Sequence, residues 1–450
     1  MEDTITAIST ALGIGAISII RVSGKDAVKI VNKIFKGKDL TKSVSHKIHY
    51  GYIVDKNQII DEVLVSVLLA PKTFTRENVV EINAHGGIAT TNKILELLLL
   101  NGCRLAEPGE FSKRAFLNGR IDLTQAEGIS DLINSKTEKA RILAINELRG
   151  SVSNLIKELR KDLVAILANI EVNIDYPEYE DIEILNFQKL NKKIKQIEKK
   201  LQKILEDSKN GKIISEGITV SIIGKPNVGK SSLLNTIIGE EKAIVTDIKG
   251  TTRDLVEGLY NLDGLLLKFI DTAGIRRTDD VVESIGVKKS LEIIEKSQLV
   301  IFLLSNNELL ELDDMEILKK LQKKNHIIVI NKTDLETKID YTKLPKDIIK
   351  MSIKNNKGID ELKKRIKQIF NLEQIETSDL TYLTNSRNIA VIKKCLQKIQ
   401  DIKEAIENNI PIDIIEIDIK EIWNELGKII GETYEDELID HIFSQFCLGK

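Results

Sequence analysis

Apolar residues recur along this chain with two different periods, and the changes of period divide it. In residues 1–119 short runs read as β-strands: Ile17-Ser18-Ile19-Ile20, His49-Tyr50-Gly51-Tyr52-Ile53-Val54 and Val63-Leu64-Val65-Ser66-Val67-Leu68-Leu69. Helical stretches, Lys25–Phe35 and Thr90–Asn101, lie between and after them, which predicts an α/β domain. From about residue 120 the apolar spacing becomes three and four. Leu155, Leu159, Leu163, Ile166 and Ile170 share one helix face, and Leu190, Ile194, Ile197, Leu201 and Ile204 share another. The segment Ile174-Asp175-Tyr176-Pro177-Glu178 reads as the link between these helices. Apolar β-type runs return at Ile218–Ile223, Leu265–Ile270, His326–Ile330 and Asp347–Met351. Helical spacing resumes at Ile389, Ile392, Leu396 and Ile399, and again at Leu438, Ile442 and Phe446. The simplest organisation is an α/β domain over 1–119, a helical domain begun by 120–214 and completed by 375–450, and a second α/β domain over 215–374 inserted between its halves. Insertion is tolerated where the insert's ends lie close together.

Composition narrows the reading only slightly. The 450 residues allow about three domains. A net charge of −2 gives no global electrostatic argument for nucleic acid, so any RNA contact must be local or made through a partner. One local candidate is the helix carrying Lys192, Lys193, Lys195, Lys199, Lys200 and Lys203. A solvated face is the ordinary reading there, and an RNA-contacting stripe the alternative. Three cysteines, Cys103, Cys395 and Cys447, form no CxxC pair and point to a reducing compartment without structural zinc. No apolar run has transmembrane length and the N-terminus has no basic-then-apolar leader, so a soluble, cytoplasmic protein without membrane partners is expected.

The candidate chemistry begins at Gly224-Lys225-Pro226-Asn227-Val228-Gly229-Lys230-Ser231, a G-x-x-x-x-G-K-S phosphate loop. A strand leads into it and the helical run Ser232–Ile238 leads out, so backbone N–H groups and a helix N-terminus would face phosphates. Lys230 would reach the β- and γ-phosphates, and the Ser231 hydroxyl would ligate Mg²⁺. Three further segments make guanine the expected base. Asn331-Lys332-Thr333-Asp334 follows a strand, and the Asp334 carboxylate can accept from both N1–H and the 2-amino group of guanine, a pair adenine lacks. Asp271-Thr272-Ala273-Gly274 follows another strand, placing Asp271 for the metal's water shell and the Gly274 N–H for the γ-phosphate. Thr251-Thr252 lies between, where a switch-loop threonine completes the Mg²⁺ shell. Ser352-Ile353-Lys354 resembles the last guanine-binding element. In this order the segments look like a Ras-like P-loop GTPase of the translation-factor-related class. In the Ras type a glutamine after D-x-x-G orients the attacking water. Here that position is Ile275, so another group must do so; Arg276, Arg277, Asp279, Asp280 and Glu283 are the nearby polar residues, and spacing does not choose among them.

Several motifs lie outside the GTPase unit. They are Thr4-Ile5-Thr6-Ala7-Ile8 with Ile19-Ile20-Arg21-Val22-Ser23-Gly24; Glu77-Asn78-Val79-Val80-Glu81 with His85-Gly86-Gly87; Glu107-Pro108-Gly109-Glu110-Phe111-Ser112-Lys113-Arg114-Ala115-Phe116; Asp122-Leu123-Thr124-Gln125-Ala126-Glu127; and the tail Phe446-Cys447-Leu448-Gly449-Lys450. With these and the insertion order, nearly the whole chain resembles the tRNA modification GTPase family MnmE (TrmE). That resemblance implies a homodimer that works with an FAD-dependent flavoprotein, MnmG (GidA), in a heterotetramer or larger complex. The complex adds a carboxymethylaminomethyl or aminomethyl group to C5 of the wobble uridine of certain tRNAs. It implies a 5-formyl- or 5,10-methylene-tetrahydrofolate site in the N-terminal domain, with Arg21, Glu81, Arg120 and Lys450 at the matching positions. It implies K⁺-activated hydrolysis with pairing of the GTPase domains, potassium taking the place of an arginine finger. Asn227 matches the potassium ligand, helped by Thr246, Ile248 and Thr251, while Ser231 and Thr252 match the Mg²⁺ ligands. Glu283, in Val282-Glu283-Ser284-Ile285-Gly286, matches the residue that orients the attacking water through a second water, with Lys230 the other catalytic residue. The implied GTP contacts are Asn227, Val228, Gly229, Lys230, Ser231 and Ser232; Thr246, Asp247, Ile248, Lys249, Gly250, Thr251 and Thr252; Asp271, Thr272, Ala273 and Gly274; and Asn331, Lys332 and Asp334. Two positions depart from the family pattern: Ser9-Thr10-Ala11-Leu12-Gly13 replaces A-T-P-x-G, and Arg120 stands where lysine is common.

Two other functions compete with this one. A regulatory assembly GTPase acting on RNA or ribosomes would need only the GTPase unit, and leaves the N-terminal motifs and the tail unexplained. A folate-dependent transferase with a vestigial GTPase is disfavoured because every nucleotide element is intact. For Cys447, a small buried residue is the ordinary expectation, and a functional thiol beside the folate-type tail is the alternative.

Overall fold

The computed structural model of the chain describes residues 3–175, 187–239, 256–270, 287–370, 383–433 and 436–449, with the side chains of 175, 256–257, 287–291 and 436 left aside. The chain divides into two compact units, each discontinuous in sequence. One comprises Met1–Ser130, Glu147–Lys193 and Gln400–Lys450; the other comprises Asp131–Asn146 and Ile194–Ile399. The first unit is thus completed by residues from both sides of a long insert.

The first unit holds a seven-stranded sheet of β1 (Ile5–Ile8), β2 (Gly15–Ser23), β3 (Phe35–Gly37), β4 (Lys47–Asp55), β5 (Gln58–Leu68), β6 (Val79–Gly86) and β7 (Arg104–Leu105). Its order is β3-β4-β5-β6-β2-β1-β7, and only the β1–β7 pairing is parallel. Alternation sets its faces: Val63, Val65 and Val67 point into the core while Leu64 between them is exposed. Helices Ala27–Ile34 and Ile88–Leu100 cover the buried face, with Val31, Ile94 and Leu98 packed on Ile20, Val22, Val65 and Ile82. The first of these helices is shorter than its apolar pattern indicates, because Phe35 turns into β3 to pair with Ile53. In the helical part of the unit, Ser151–Asp175 packs on Ile412–Ile430. There the Arg160 guanidinium lies 4.0 Å from the Trp423 ring centroid, donates to the Trp423 carbonyl at 3.2 Å and pairs with Glu432. Ile174 and Asp175, expected in a link, belong to the first of these helices; Tyr176–Glu178 lie outside the described residues.

The C-terminal helix Asp436–Ser444 closes onto helix Glu110–Leu117 through a cluster of Phe116, Leu123, Ile439, Phe443 and Phe446. The approach demands Gly109: its φ is +68°, and a Cβ there would stand 2.4 Å from the Phe443 carbonyl oxygen. Behind it, Arg114 is 1% exposed and pairs with Asp3 at 2.8 Å, Glu110 at 3.0 Å and Glu77 at 3.1 Å.

The second unit is a six-stranded sheet of β8 (Ile218–Ile223), β9 (Val256–Leu262), β10 (Leu265–Ile270), β11 (Leu299–Ser305), β12 (His326–Asn331) and β13 (Ile348–Lys350), in the order β13-β12-β11-β8-β10-β9. All pairings but β9–β10 are parallel. β11 is buried at every residue, as a central parallel strand with both faces covered must be. Helices Lys230–Ile238 and Ile359–Ile369 fill one face with Leu233, Ile237, Leu362 and Ile366; Val287–Lys296 and Leu312–Leu321 fill the other with Ile294, Ile317 and Leu321. The chain leaves β8 toward β10 on one side and reaches β11 on the other, so β8 is the topological switch point, where ligands of such sheets bind at the strands' carboxyl ends. This is the Ras-like P-loop arrangement. The unit also takes in Glu138–Leu148 up to Asn146, with Leu143 in its core, which apolar spacing did not indicate.

The long helix Phe187–Glu216 buries Leu190, Ile194, Ile197, Leu201 and Ile204 as expected and leaves Lys192, Lys195, Lys199 and Lys203 exposed. In helix Ser386–Glu407 the buried seam runs through Asn388, Ile392, Cys395, Ile399, Ile402 and Ile406, with Ile389 and Leu396 half-buried beside it.

The Arg114 cluster generates a stability prediction. Burial raises the Glu110 carboxyl, but hydrogen bonds from Arg104, the Glu107 N–H and Arg114 outweigh it and hold the carboxyl below its ordinary range. The Arg104 hydrogen bond does the same for Asp3. A carboxylate depressed in the folded state stabilises above its unfolded pKa, and that contribution is lost as pH falls through the folded value. Arg114→Met leaves the buried Glu110 carboxylate short of a partner, so denaturant titration at neutral pH should show a loss of about 3–5 kcal/mol and a shallower stability decline below about pH 4.5. An unchanged midpoint and acid slope would contradict the assignment.

Candidate functional site

The phosphate loop is shaped by two glycines that admit no side chain. β8 ends at Ile223, and Gly224 follows with φ +149°; a Cβ there would meet the Leu303 carbonyl oxygen at 2.2 Å. Gly229, at φ +105°, begins the helix Lys230–Ile238, and a Cβ there would meet the Asn331 Nδ2 at 2.5 Å. Between them Asn227 is left-handed at φ 62°, a conformation asparagine tolerates. The helix begins two residues before the run Ser232–Ile238, so Lys230 and Ser231 sit in its first turn. The Lys230 ammonium donates to the carbonyls of Gly224 at 2.9 Å and Lys225 at 2.8 Å, folded back over the loop it would serve. The Lys225 side chain is held by Asp314 at 2.8 Å and Glu311 at 3.0 Å, at the start of helix Leu312–Leu321. A cradle closed to any Cβ, with a lysine across its mouth and a helix N-terminus behind it, fits an anionic phosphate chain.

The base end is tied to this loop through one side chain. Asn331, the last residue of β12, is 3% exposed. Its Nδ2 donates to the Val228 carbonyl at 2.8 Å, and its Oδ1 accepts from the Ile353 N–H at 3.2 Å. Lys332 is left-handed at φ 61°, which turns the chain so that Thr333 donates from both N–H and Oγ1 to the Met351 carbonyl. Asp334 then accepts from the Ser352 hydroxyl at 2.6 Å. That hydrogen bond, its own backbone N–H and the charges of Lys354 and Lys332 hold the Asp334 carboxyl below its ordinary value. It therefore stays an acceptor-only carboxylate, the form a guanine edge requires. The structure brings together Asn227, Val228, Gly229, Lys230, Ser231, Ser232, Asn331, Lys332 and Asp334 at the carboxyl edge of one sheet. Thr246, Asp247, Ile248, Lys249, Gly250, Thr251, Thr252, Asp271, Thr272, Ala273, Gly274, Ile275 and Glu283 lie outside the described residues.

A second cluster lies in the first unit. Arg21 and Glu81 face each other across β2 and β6, and the Arg21 Nε donates to the Glu81 carboxylate at 2.9 Å. The Arg21 Nη1 also donates to the Gly449 carbonyl at 3.1 Å, which accepts from the Ser9 hydroxyl at 3.1 Å as well. The C-terminal tail is thereby docked beside the pair. Gly449 must be glycine there: its φ is +86°, and a Cβ would stand 2.5 Å from the Ile8 carbonyl oxygen. The Arg21 guanidinium lies 5.6 Å from the buried Phe111 ring centroid, and that of Arg120 lies 5.0 Å from the Phe74 ring. Phe74 packs against the buried cluster of Ile5, Ala7, Ala106 and Phe111. Lys450 lies outside the described residues. Cys447, expected to be buried, is exposed, while its carbonyl accepts from the Gly109 N–H at 3.3 Å. Cys103 and Cys395 are the buried cysteines, and burial pushes the Cys103 thiol up to about 12. Phe74, Phe111 and Gly449 were not indicated as members of this cluster by spacing; only their places in or near matched motifs could have pointed to them.

The packing of Gly229 on Asn331 predicts a loss of binding rather than of fold. Gly229→Ala introduces a strained left-handed alanine and displaces the Asn331 amide, so GDP affinity measured by calorimetry should fall at least about tenfold. Wild-type affinity in that variant would contradict the packing.

Comparison with known proteins covers almost the whole chain. A family profile described as the GTP-binding protein TrmE N-terminus matches residues 4–120, and one described as the MnmE helical domain matches residues 123–447. The tRNA modification GTPase MnmE of Bacillus cytotoxicus is 52% identical over 455 aligned positions, covering 100% of this chain and 99% of that one. The protein of the same name from Streptococcus thermophilus is 53% identical, covering 100% and 98%. Among solved structures, the G domain of the T. maritima FeoB iron transporter is 26% identical over 34% of this chain and 97% of that one, with a TM-score of 0.25. Identity of this degree along the full length, carried across both units, places the chain in the MnmE family of tRNA modification GTPases.

Proposed function

We propose that this GTPase is the GTP-hydrolysing subunit of a complex that places a carboxymethylaminomethyl or aminomethyl group on C5 of the wobble uridine of certain tRNAs. The observation that carries the reading is the docked tail. Arg21, Glu81 and Gly449 come from distant parts of the sequence and meet around the Arg21 guanidinium, outside the GTPase unit. A switch that acted through GTP alone would have no use for such a site. Its chemistry fits a reduced folate: Glu81 offers an acceptor for pterin N–H donors, Arg21 and Arg120 offer cations, and the partly exposed Phe74 offers an apolar ring face. Lys450, next to the docked Gly449, would join them. The folate, as a 5-formyl or 5,10-methylene derivative, would supply the one-carbon unit when bound, and an FAD-dependent partner of the MnmG type would supply the redox chemistry. In this reading residues 1–119 form the folate-binding and dimerisation domain, 120–214 and 375–450 the helical domain, and 215–374 the GTPase domain. Among the described residues no helix is long and apolar enough to cross a membrane.

For hydrolysis, Lys230 would reach the β- and γ-phosphates, Ser231 and Thr252 would hold Mg²⁺, and Glu283 would position water in the role that Ile275 cannot fill. Asn227, with Thr246, Ile248 and Thr251, would hold K⁺ beside the β–γ bridge as the GTPase domains of two copies pair. A fixed cation there stabilises charge that develops in the transition state.

The functional test is mass spectrometry of tRNA from cells lacking the gene. Loss of the wobble modification, restored by the wild-type chain and not by Glu81→Ala, is expected. Intact modification in the deleted cells would favour an assembly GTPase instead. The hydrolysis test exchanges K⁺ for Na⁺ at fixed ionic strength. Turnover should fall about a hundredfold, and Asn227→Ala should abolish the difference. Equal rates in the two salts would refute the potassium site.

A further inference from the structure

We propose that Asn306 is a positioning residue for guanine selection, acting on Asp334 through the loop that follows it. Asn306 directly follows β11 and is 2% exposed. Its Nδ2 donates to the Leu335 carbonyl at 3.0 Å and to the Thr337 hydroxyl at 3.1 Å, and its Oδ1 accepts from the Tyr341 hydroxyl at 2.8 Å. Its main chain grips the same loop. The Asn306 N–H donates to the Asn331 carbonyl at 2.8 Å, and its carbonyl accepts from the N–H groups of Lys338 at 2.8 Å and Ile339 at 3.1 Å. The loop is therefore fastened on both sides of Asp334, at Asn331 before it and at Leu335 immediately after it. The Leu335 N–H donates to the Lys332 carbonyl at 3.0 Å, closing a tight turn with Asp334 inside it. Ser352 orients the Asp334 carboxylate, but Asn306 decides where the turn that carries it stands.

The inference rests on the reading of Asp334 as the base selector. Guanine presents N1–H and a 2-amino group to that carboxylate, whereas hypoxanthine presents N1–H alone. A carboxylate displaced from the two-donor position loses the 2-amino bond first, so the preference for guanine over hypoxanthine reports its placement. A side chain that only stabilised the fold would change the melting temperature and leave that preference alone. Asn306→Asp keeps size and the acceptor for Tyr341, but turns a donor into an oxygen facing the Leu335 carbonyl.

The test is calorimetry of the full-length protein with GDP and with inosine diphosphate. In the wild-type protein GDP should bind more tightly; equal affinities would refute the role of Asp334 itself, separately from that of Asn306. In Asn306→Asp the ratio of the two dissociation constants should shrink about fivefold to tenfold toward unity, the weight of one hydrogen bond. A folded Asn306→Asp protein with the wild-type ratio would overturn the proposal. Should that variant not fold, Tyr341→Phe decides: it removes one bond to the Asn306 Oδ1, and the ratio should shrink about twofold. An unchanged ratio there would then overturn it.

Discussion

The Asn331 carboxamide donates to the Val228 carbonyl and accepts from the Ile353 N–H, and those two bonds join three loops that are far apart in the sequence. One loop leaves β8 and carries the G-x-x-x-x-G-K-S motif, one leaves β12 and carries Asp334, and one follows β13 and supplies Ser352. The carboxamide can approach so closely only because Gly229 has no Cβ. A buried amide with both ends satisfied is worth more than its hydrogen bonds alone, since losing one partner strands the other in a dry site. The switch-point position of β8 brings the loops to one edge of the sheet, and Asn331 fixes their spacing.

The other unit follows a similar logic of close backbone approach. Gly109 lets the carbonyl of Phe443 press against the start of helix Glu110–Leu117, and Gly449 lets the tail lie against Ile8. These two contacts explain why the extreme C-terminus, arriving after a long insert, returns to the N-terminal sheet. The buried Arg114 and its carboxylates fix the same helix from within. The resulting geometry places the Arg21 guanidinium over the Phe111 ring, donating to Glu81 and to the Gly449 carbonyl. A ligand of the folate type would compete for or extend that network, which links the tail's position to the state of the site.

Much of this arrangement was legible in the chain. The phosphate loop, Asn331 and Asp334 stand in short motifs whose strand and helix neighbours follow simple periodicity, so their place at a sheet edge could be read directly. The buried seams of Ser151–Asp175 and Phe187–Glu216 were equally plain because the spacing of three and four persists over many turns. Helix Ile412–Ile430 has the same spacing at Ile415, Ile419, Ile422 and Leu426. The strand β11 is apolar throughout, a pattern that periodicity does not separate from a buried helix. What the sequence could not show were side chains whose partners are distant: Asn306 reaches Leu335, Thr337 and Tyr341, and Phe111 meets Arg21. The exposure of Cys447 belongs to the same class, since it follows from how Phe446 and Gly449 anchor the tail on either side of it.

The central claim is that Asn331 makes the phosphate and base ends of the site a single piece. Hydrogen–deuterium exchange of the nucleotide-free protein, comparing wild type with Asn331→Ala, tests it most directly. Faster exchange should appear together in the 225–231 loop and in the 352–355 turn, although neither contains the substituted residue. Faster exchange in one of the two, with the other unchanged, would contradict the account.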